Sequence, residues 1–206
     1  MKGRRIGAAP WVDMGLRRLL IAAGIDLARD GVTIAPVPGA AGAGVNFGLT
    51  AAKALEERKI DGFWANGMGA EVAVRRGIGD VVLDVRRGDG PKGCFDYTMA
   101  SIATTDCLIE KSPEVATAAV RAIVKTQNAL KKNVARAAEV GRKLFPPEQA
   151  ELIVELIRRD LPYYDAAIPE SFVAGMNQFS RAVGILTGDV PYEKVVATQF
   201  RHLWKV

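Results

Sequence analysis

Histidine and cysteine are almost missing from this sequence: one histidine and two cysteines in 206 residues. A single histidine, His202, leaves little material for imidazole-based catalysis or metal binding. Cys94 and Cys107 lack the C-x-x-C spacing of a zinc or redox site. Cys107 lies in an apolar stretch, which predicts a buried free thiol. Spacing alone leaves open whether the two are bonded. Long apolar runs are missing too, since none approaches the ~20 residues of a membrane-spanning helix. The opening "MKGRRIGAAPWVDMG" carries charge but no apolar core of a signal peptide. Taken literally it is cytoplasmic; taken as a piece of a longer chain it leaves location open. Runs of one charge are also missing. The net charge of +5 comes from short scattered pairs such as Arg17-Arg18, Arg75-Arg76 and Lys131-Lys132. Such pairs read as solvated helix faces, so no nucleic-acid partner is expected.

What is present is an ordinary globular composition, with 49% apolar and 25% charged residues, which places the chain among folded proteins. Residues 5–9, "RIGAA", predict a strand, and Asp13 a cap for the helix through Leu16, Leu19, Leu20 and Ala23 that Gly24 stops. "VTIAPV", 32–37, is a second strand. "GAAGAGVNFG", 39–48, is a loop, followed by a helix through Leu55. Residues 60–65 form a third strand, Met68 to Arg76 a short helix, and "VVLDV", 81–85, a fourth strand. Strand and helix alternating over short connections predict a parallel sheet with flanking helices. "RRGDGPKG" divides the chain into an α/β lobe, 1–90, and a mostly helical part, 91–206. In the second part 97–105 is expected as a strand. Helices are expected to start at Ser112-Pro113, Val134, Pro146-Pro147 and Pro169-Glu170, the last ending at Gly188. On the first of these, Val115, Ala118, Ala119, Ala122, Ile123 and Leu130 form the inward face.

Chemical motifs are few. The glycine loop has no G-K-[ST], and Phe47 occupies the third glycine of G-x-G-x-x-G, so neither nucleotide fingerprint is present. It is either a flexible connection or a rim loop that lets backbone approach a ligand. In "AAPWVDMG", Trp11 either stacks on a ligand beside a helix start or fills core. Asp84, Asp89, Asp96 and Asp106 show no spacing that demands convergence. No G-x-S-x-G or Ser/His/Asp arrangement appears. No catalytic residue, metal ligand or cofactor is assigned, and an enzyme is not expected. Ligands in parallel sheets bind beyond the carboxyl ends of the strands. That places 8–14, 37–47 and 66–69 on one rim. Trp64 has two readings, because strand residues alternate sides: it faces the cleft, or it fills a helix–sheet layer.

"MKGRRIGAAPWVDMG", "VTIAPVPG", "ALEERKIDGFWANG" and "YTMASIATTDCLIEKSPEVATAAVRAIVKTQNAL" together resemble ABC-transporter substrate-binding proteins of the nitrate/sulfonate/taurine and thiamine-precursor type. The likeness covers the second lobe and the C-terminal part of the first. It implies an α/β, periplasmic-binding-protein-like type II fold and a small organic solute held in an interlobe cleft. Membrane subunits of the importer would be partners, and a longer precursor would be periplasmic or lipid-anchored. The resemblance assigns Pro10, Trp11, Asp13, Met14, Trp64, Asn66, Met68 and Tyr97 to the cleft. "PWVDMG" stands where relatives carry a Ser/Thr-rich turn, which points away from nitrate or sulfonate. The family's signal peptide and N-terminal half-lobe have no counterpart ahead of Met1, so a truncated form is one expectation. A ligand-sensing or interaction domain that self-associates or pairs with another chain is the alternative. A thiamine-pyrimidine-synthase-like enzyme would need a reactive histidine and a cysteine-rich stretch, which this chain lacks.

Overall fold

The computed structural model describes residues 1–40, 45–85, 88–92 and 100–205. The chain divides into two compact units, Met1–Cys94 and Phe95–Val206.

The first unit is α/β. Its strands are β1 (Arg5–Ala8), β2 (Thr33–Ala35) and β3 (Gly62–Trp64). They form one parallel sheet in the order β2-β1-β3, with Ile6 opposite Ile34 and Gly62. The helices are α1 (Asp13–Ala22), α2 (Phe47–Glu56) and α3 (Gly67–Arg75). As the central strand, β1 buries Ile6, Gly7 and Ala8 in succession, as a strand covered on both faces must. Gly7 is required there: a Cβ would stand 2.4 Å from Val37 Cγ2. Val37, Ala51, Ala54 and Ile60 form the core on that face, with Phe47 and Phe63 packed against it. α1 ends as expected, with Gly24 at φ +79° and Ile25 N–H bonded to Leu20 O at 2.9 Å, the left-handed helix stop that glycine supplies without strain.

Asp61 in "KIDGFW" sits at the amino end of the sheet. Its carboxylate accepts from the Arg5 backbone N–H at 2.8 Å and from the Arg5 guanidinium at 3.0 and 3.1 Å. Arg5 also donates to Arg58 O at 3.0 Å, so the pair staples the start of β3 to β1. The side-chain hydrogen bond from Arg5, then its backbone N–H, lowers the Asp61 pKa to about 2. A carboxylate whose folded pKa is depressed stabilises above its unfolded pKa and loses that contribution as pH falls toward the folded value. Asp61→Asn is therefore expected to lower the melting temperature at neutral pH. The deficit should narrow as pH falls from about 4 to about 2. A deficit unchanged across that window would show that the charge contributes nothing.

Residues 81–85 are not a fourth strand. Val82 is 84% exposed, and the Asp84 N–H is bonded to the Asp89 carboxylate at 3.2 Å. A backbone donor captured by a side chain in the next turn is lost to a sheet ladder.

The second unit, among its described residues, is helical: α4 (Asp106–Lys111), α5 (Pro113–Lys132), α6 (Ala135–Leu144), α7 (Pro147–Asp160), α8 (Glu170–Ala182) and α9 (Tyr192–Val195). Short 3-10 helices cover Leu161–Tyr163 and Thr198–Leu203. Residues 100–105 are not a strand; Thr105 caps α4 by accepting from Leu108 N–H at 3.2 Å. The rest of the expected 97–105 strand lies outside the described residues. Cys107 on α4 is exposed, not buried, and Cys94 is not among the described residues. α5 also faces differently from expectation. Ala116 and Val124 are buried, while Val115 and Ile123 are half exposed. The reason is its partner: Ala116 and Val120 pack on Phe200 and Leu203 of the terminal 3-10 helix. α8 stops at Gly184, at φ +79°, rather than at Gly188. Asn177, buried on α8, then holds the following loop by a double hydrogen bond to the Val190 backbone, at 2.9 and 3.1 Å.

Candidate functional site

The carboxyl ends of β1 and β3 are neighbours, because Ala8 is in register with Trp64. The loops that leave them therefore start side by side. After β1 the chain passes through exposed Pro10 and Trp11 before α1 begins. Trp11 has φ +69° and is 79% exposed. A left-handed conformation costs a bulky residue roughly 1–2 kcal/mol, and exposing an indole forfeits its burial. Neither cost is recovered by packing, which excludes the core reading of Trp11. Strain of this kind clusters at ligand sites.

Asp13 is not the cap of α1. The cap position is Val12, and Asp13 is the first helical residue. Its carboxylate instead accepts from Arg17 Nε at 2.8 Å. Arg17 also donates to Ile34 O at 3.1 Å. The pair ties the start of α1 to β2 and leaves Asp13 without a free charge to offer. Met14, beside it, is half-buried.

On β3, Phe63 packs with the α2 core. Successive strand residues alternate faces, so Trp64 lies on the opposite face of the sheet, half-buried. Asn66 occupies the cap position of α3 without a side-chain cap bond, and is exposed. Its Oδ1 lies 3.0 Å from where a Cβ on Gly48 would be. The amide is thus turned toward the start of α2, with donor and acceptor capacity in reach of solvent. Met68 Sδ accepts from Asn46 Nδ2 at 3.4 Å. Asn46, in turn, caps α2 by accepting from Leu49 N–H at 3.1 Å. Gly48 and Gly69 bring the two helix starts together: a Cβ on Gly69 would stand 2.7 Å from Gly48 Cα.

The structure thus joins Asn66 and Met68 to the start of α2 and leaves Trp11 projecting from the neighbouring loop. Tyr97 lies outside the described residues, as do residues 41–44 of the glycine loop. Asn46 is a rim residue that the sequence reading passed over. Its signal was an asparagine immediately ahead of a helix with Leu49 three residues on. Among the described residues, no group of three or more His, Cys, Asp or Glu is placed to hold a metal. No helix among them is long and apolar enough to cross a membrane.

The second unit carries a groove of about 550 Å³ that sequence reasoning also missed. It is built from residues 167–170, Tyr192 and the end of the chain around Arg201 and Trp204. Tyr192 O–H donates to Ile168 O at 2.5 Å. Arg201 lies over the rings of Tyr192 and Trp204, 5.4 and 5.9 Å from their centres. The neighbouring Tyr192, with the fields of Glu170 and Glu193 adding, raises the Arg201 pKa further.

Comparison of the chain with models of protein families, with curated proteins and with solved structures finds no match.

Proposed function

We propose that the chain is the solute-binding component of an ABC importer, on a periplasmic-binding-protein-like type II fold. The first unit supplies one side of the cleft, and the ligand is a small organic solute with a flat face. The observation that carries this reading is Trp11: a strained, exposed indole at the carboxyl edge of the central parallel strand. Parallel sheets keep ligands at that edge. The sequence likeness in "RRIGAAPWVDMG" and "KIDGFWANG" supports the same assignment, and so does Asn66 beside the start of α2. Because Arg17 neutralises Asp13, the rim offers ring faces and amides rather than a strong anion or cation site. Pro10, Met14 and Met68 supply apolar surface around them, while Trp64 lies against the sheet face. In this family a ligand that touches both lobes only when they close shifts the open–closed equilibrium, and the importer's membrane subunits read the closed form.

The test is a thermal-shift screen against flat neutral solutes, with nitrate and sulfonates for comparison. A ligand at 100 times its Kd adds about 2.7 kcal/mol of stability to the unit that binds it. At least one pyrimidine- or purine-like solute should raise the melting temperature and quench tryptophan emission. Nitrate and sulfonates should not. If no solute at millimolar concentration shifts the melting temperature, the reading fails.

A further inference from the structure

The groove of the second unit owes its form to 3-10 geometry. With three residues per turn, side chains at i and i+3 eclipse one another. In Thr198–Leu203, Phe200 and Leu203 fall on the inner edge and are buried against Ala116 of α5. Arg201 and Trp204 share another edge, which brings the guanidinium over the indole. The opposite wall comes from the segment entering α8. Ile168 packs with Trp204 against a core of Val173, Tyr192 and Val196. Tyr192, only 9% exposed, fastens that wall by its bond to Ile168 O. Two separately anchored walls thus face one another, and the Arg201 guanidinium lies over two aromatic rings at the opening.

The lining has a definite chemistry. Ala167, Ile168, Pro169 and the rings of Tyr192 and Trp204 form an apolar floor. The polar rim is Arg201, His202, Lys205 and Glu170, two permanent cations against one carboxylate. Ligand pockets combine an apolar lining with a few fixed polar groups in about this volume range, 300–1,000 Å³. Arg201 is an unusually fixed one. Held near two rings by cation–π attraction it loses less entropy on binding than a free side chain, and a guanidinium fork matches a carboxylate in two-point fashion.

We propose that this groove binds a small aromatic carboxylate, its ring on the apolar floor beside Trp204 and its carboxylate on Arg201, with Lys205 adding charge. The site belongs to the second unit alone and does not depend on Trp11 or on the importer assignment. Discrimination follows from the pairing: an amide of the same shape keeps the ring contact but cannot accept the charged fork equally.

Titration of the full chain with 2-naphthoate, followed by NMR of the Trp204 indole N–H, tests this. The expected result is saturable binding that moves the Trp204 signal while leaving Trp11 and Trp64 in place. 2-Naphthamide should bind at least tenfold more weakly. Arg201→Gln, at an exposed position, should weaken 2-naphthoate about tenfold and leave the fold intact by circular dichroism. Glu170→Gln should tighten binding about threefold. Equal binding of acid and amide, or an unaffected Arg201→Gln, would overturn the proposal, as would a shift confined to Trp11 or Trp64. Should Arg201→Gln fail to fold, the acid–amide comparison and Glu170→Gln on the otherwise unchanged chain decide the matter.

Discussion

Gly69→Ala is expected to destabilise the first unit by about 3 kcal/mol, the upper part of the usual overpacking range. The added Cβ would stand 2.7 Å from both Cα and O of Gly48, and 3.0 Å from its carbonyl carbon. All three are backbone atoms, so no side-chain rotation relieves the clash, and α2 and α3 must separate. Gly48→Ala meets the same barrier from the other side, with Gly69 N at 2.9 Å. The double variant should cost less than the sum of the two, because the first substitution already opens the crossing. Gly15→Ala is the control. Gly15 lies in α1 with nothing within 4 Å of its Cβ position, so alanine there should add roughly 0.5–1 kcal/mol. Urea denaturation of the four variants checks all of this. A Gly69→Ala protein as stable as wild type would mean that the two helix starts are not in contact. Asn46, Asn66 and Met68 sit at that crossing, so solute binding should weaken in the same variants.

The alternation of strand and helix in the first unit was legible because each burial pattern is local. "RIGA", entered from the polar "MKGR" and closed by Pro10, reads as a short strand. The failures came where a distant partner decides. "VVLDV" has strand composition, but Asp89 captures the Asp84 N–H, and composition cannot report which acceptor a donor finds. On α5 either of two adjacent stripes could face inward, and the burial of Ala116, with Val120 beside it, was decided by Phe200 and Leu203, some eighty residues away. Cys107 looked like core because its neighbours are apolar, yet a six-residue helix capped by Thr105 presents it outward.

The candidate rim was legible in part for the same reason. Topology alone puts Trp11 and Asn66 at strand ends, since a parallel sheet has one carboxyl edge. Side-chain direction was not legible for Trp64 until Phe63 was seen in the α2 core, after which alternation settles its face. The role of Asp61 was hidden too. It binds Arg5 at the amino end, away from the rim, a pairing between residues 56 positions apart. The groove beside Arg201 gave only a faint sign, the spacing of Arg201 and Trp204, which becomes meaningful only once the segment is known to be 3-10.

Trp11→Gly is expected to make the protein more stable and to weaken the binding proposed for the first unit. The two effects have separate origins. At φ +69° glycine pays no steric cost, so relief of strain should add about 1 kcal/mol. With 79% of its surface exposed, the indole contributes little packing for the substitution to remove. Loss of the flat face should weaken any solute found in the screen by about tenfold or more, as truncating an aromatic anchor does. Trp11→Ala separates the terms: it keeps the strained backbone, so it should lose affinity without gaining stability. Trp11→Asn, a residue that tolerates the left-handed region, should recover part of the stability and none of the stacking. Melting temperatures and solute titrations on the three variants read both effects. If Trp11→Gly were less stable than wild type, the indole would be held by packing and the strain argument would fall. If it bound the solute as well as wild type does, the rim would not be the site. A protein that keeps an exposed tryptophan in a conformation better suited to glycine gives up stability at that position, and the ligand face proposed at the end of the central strand would account for it.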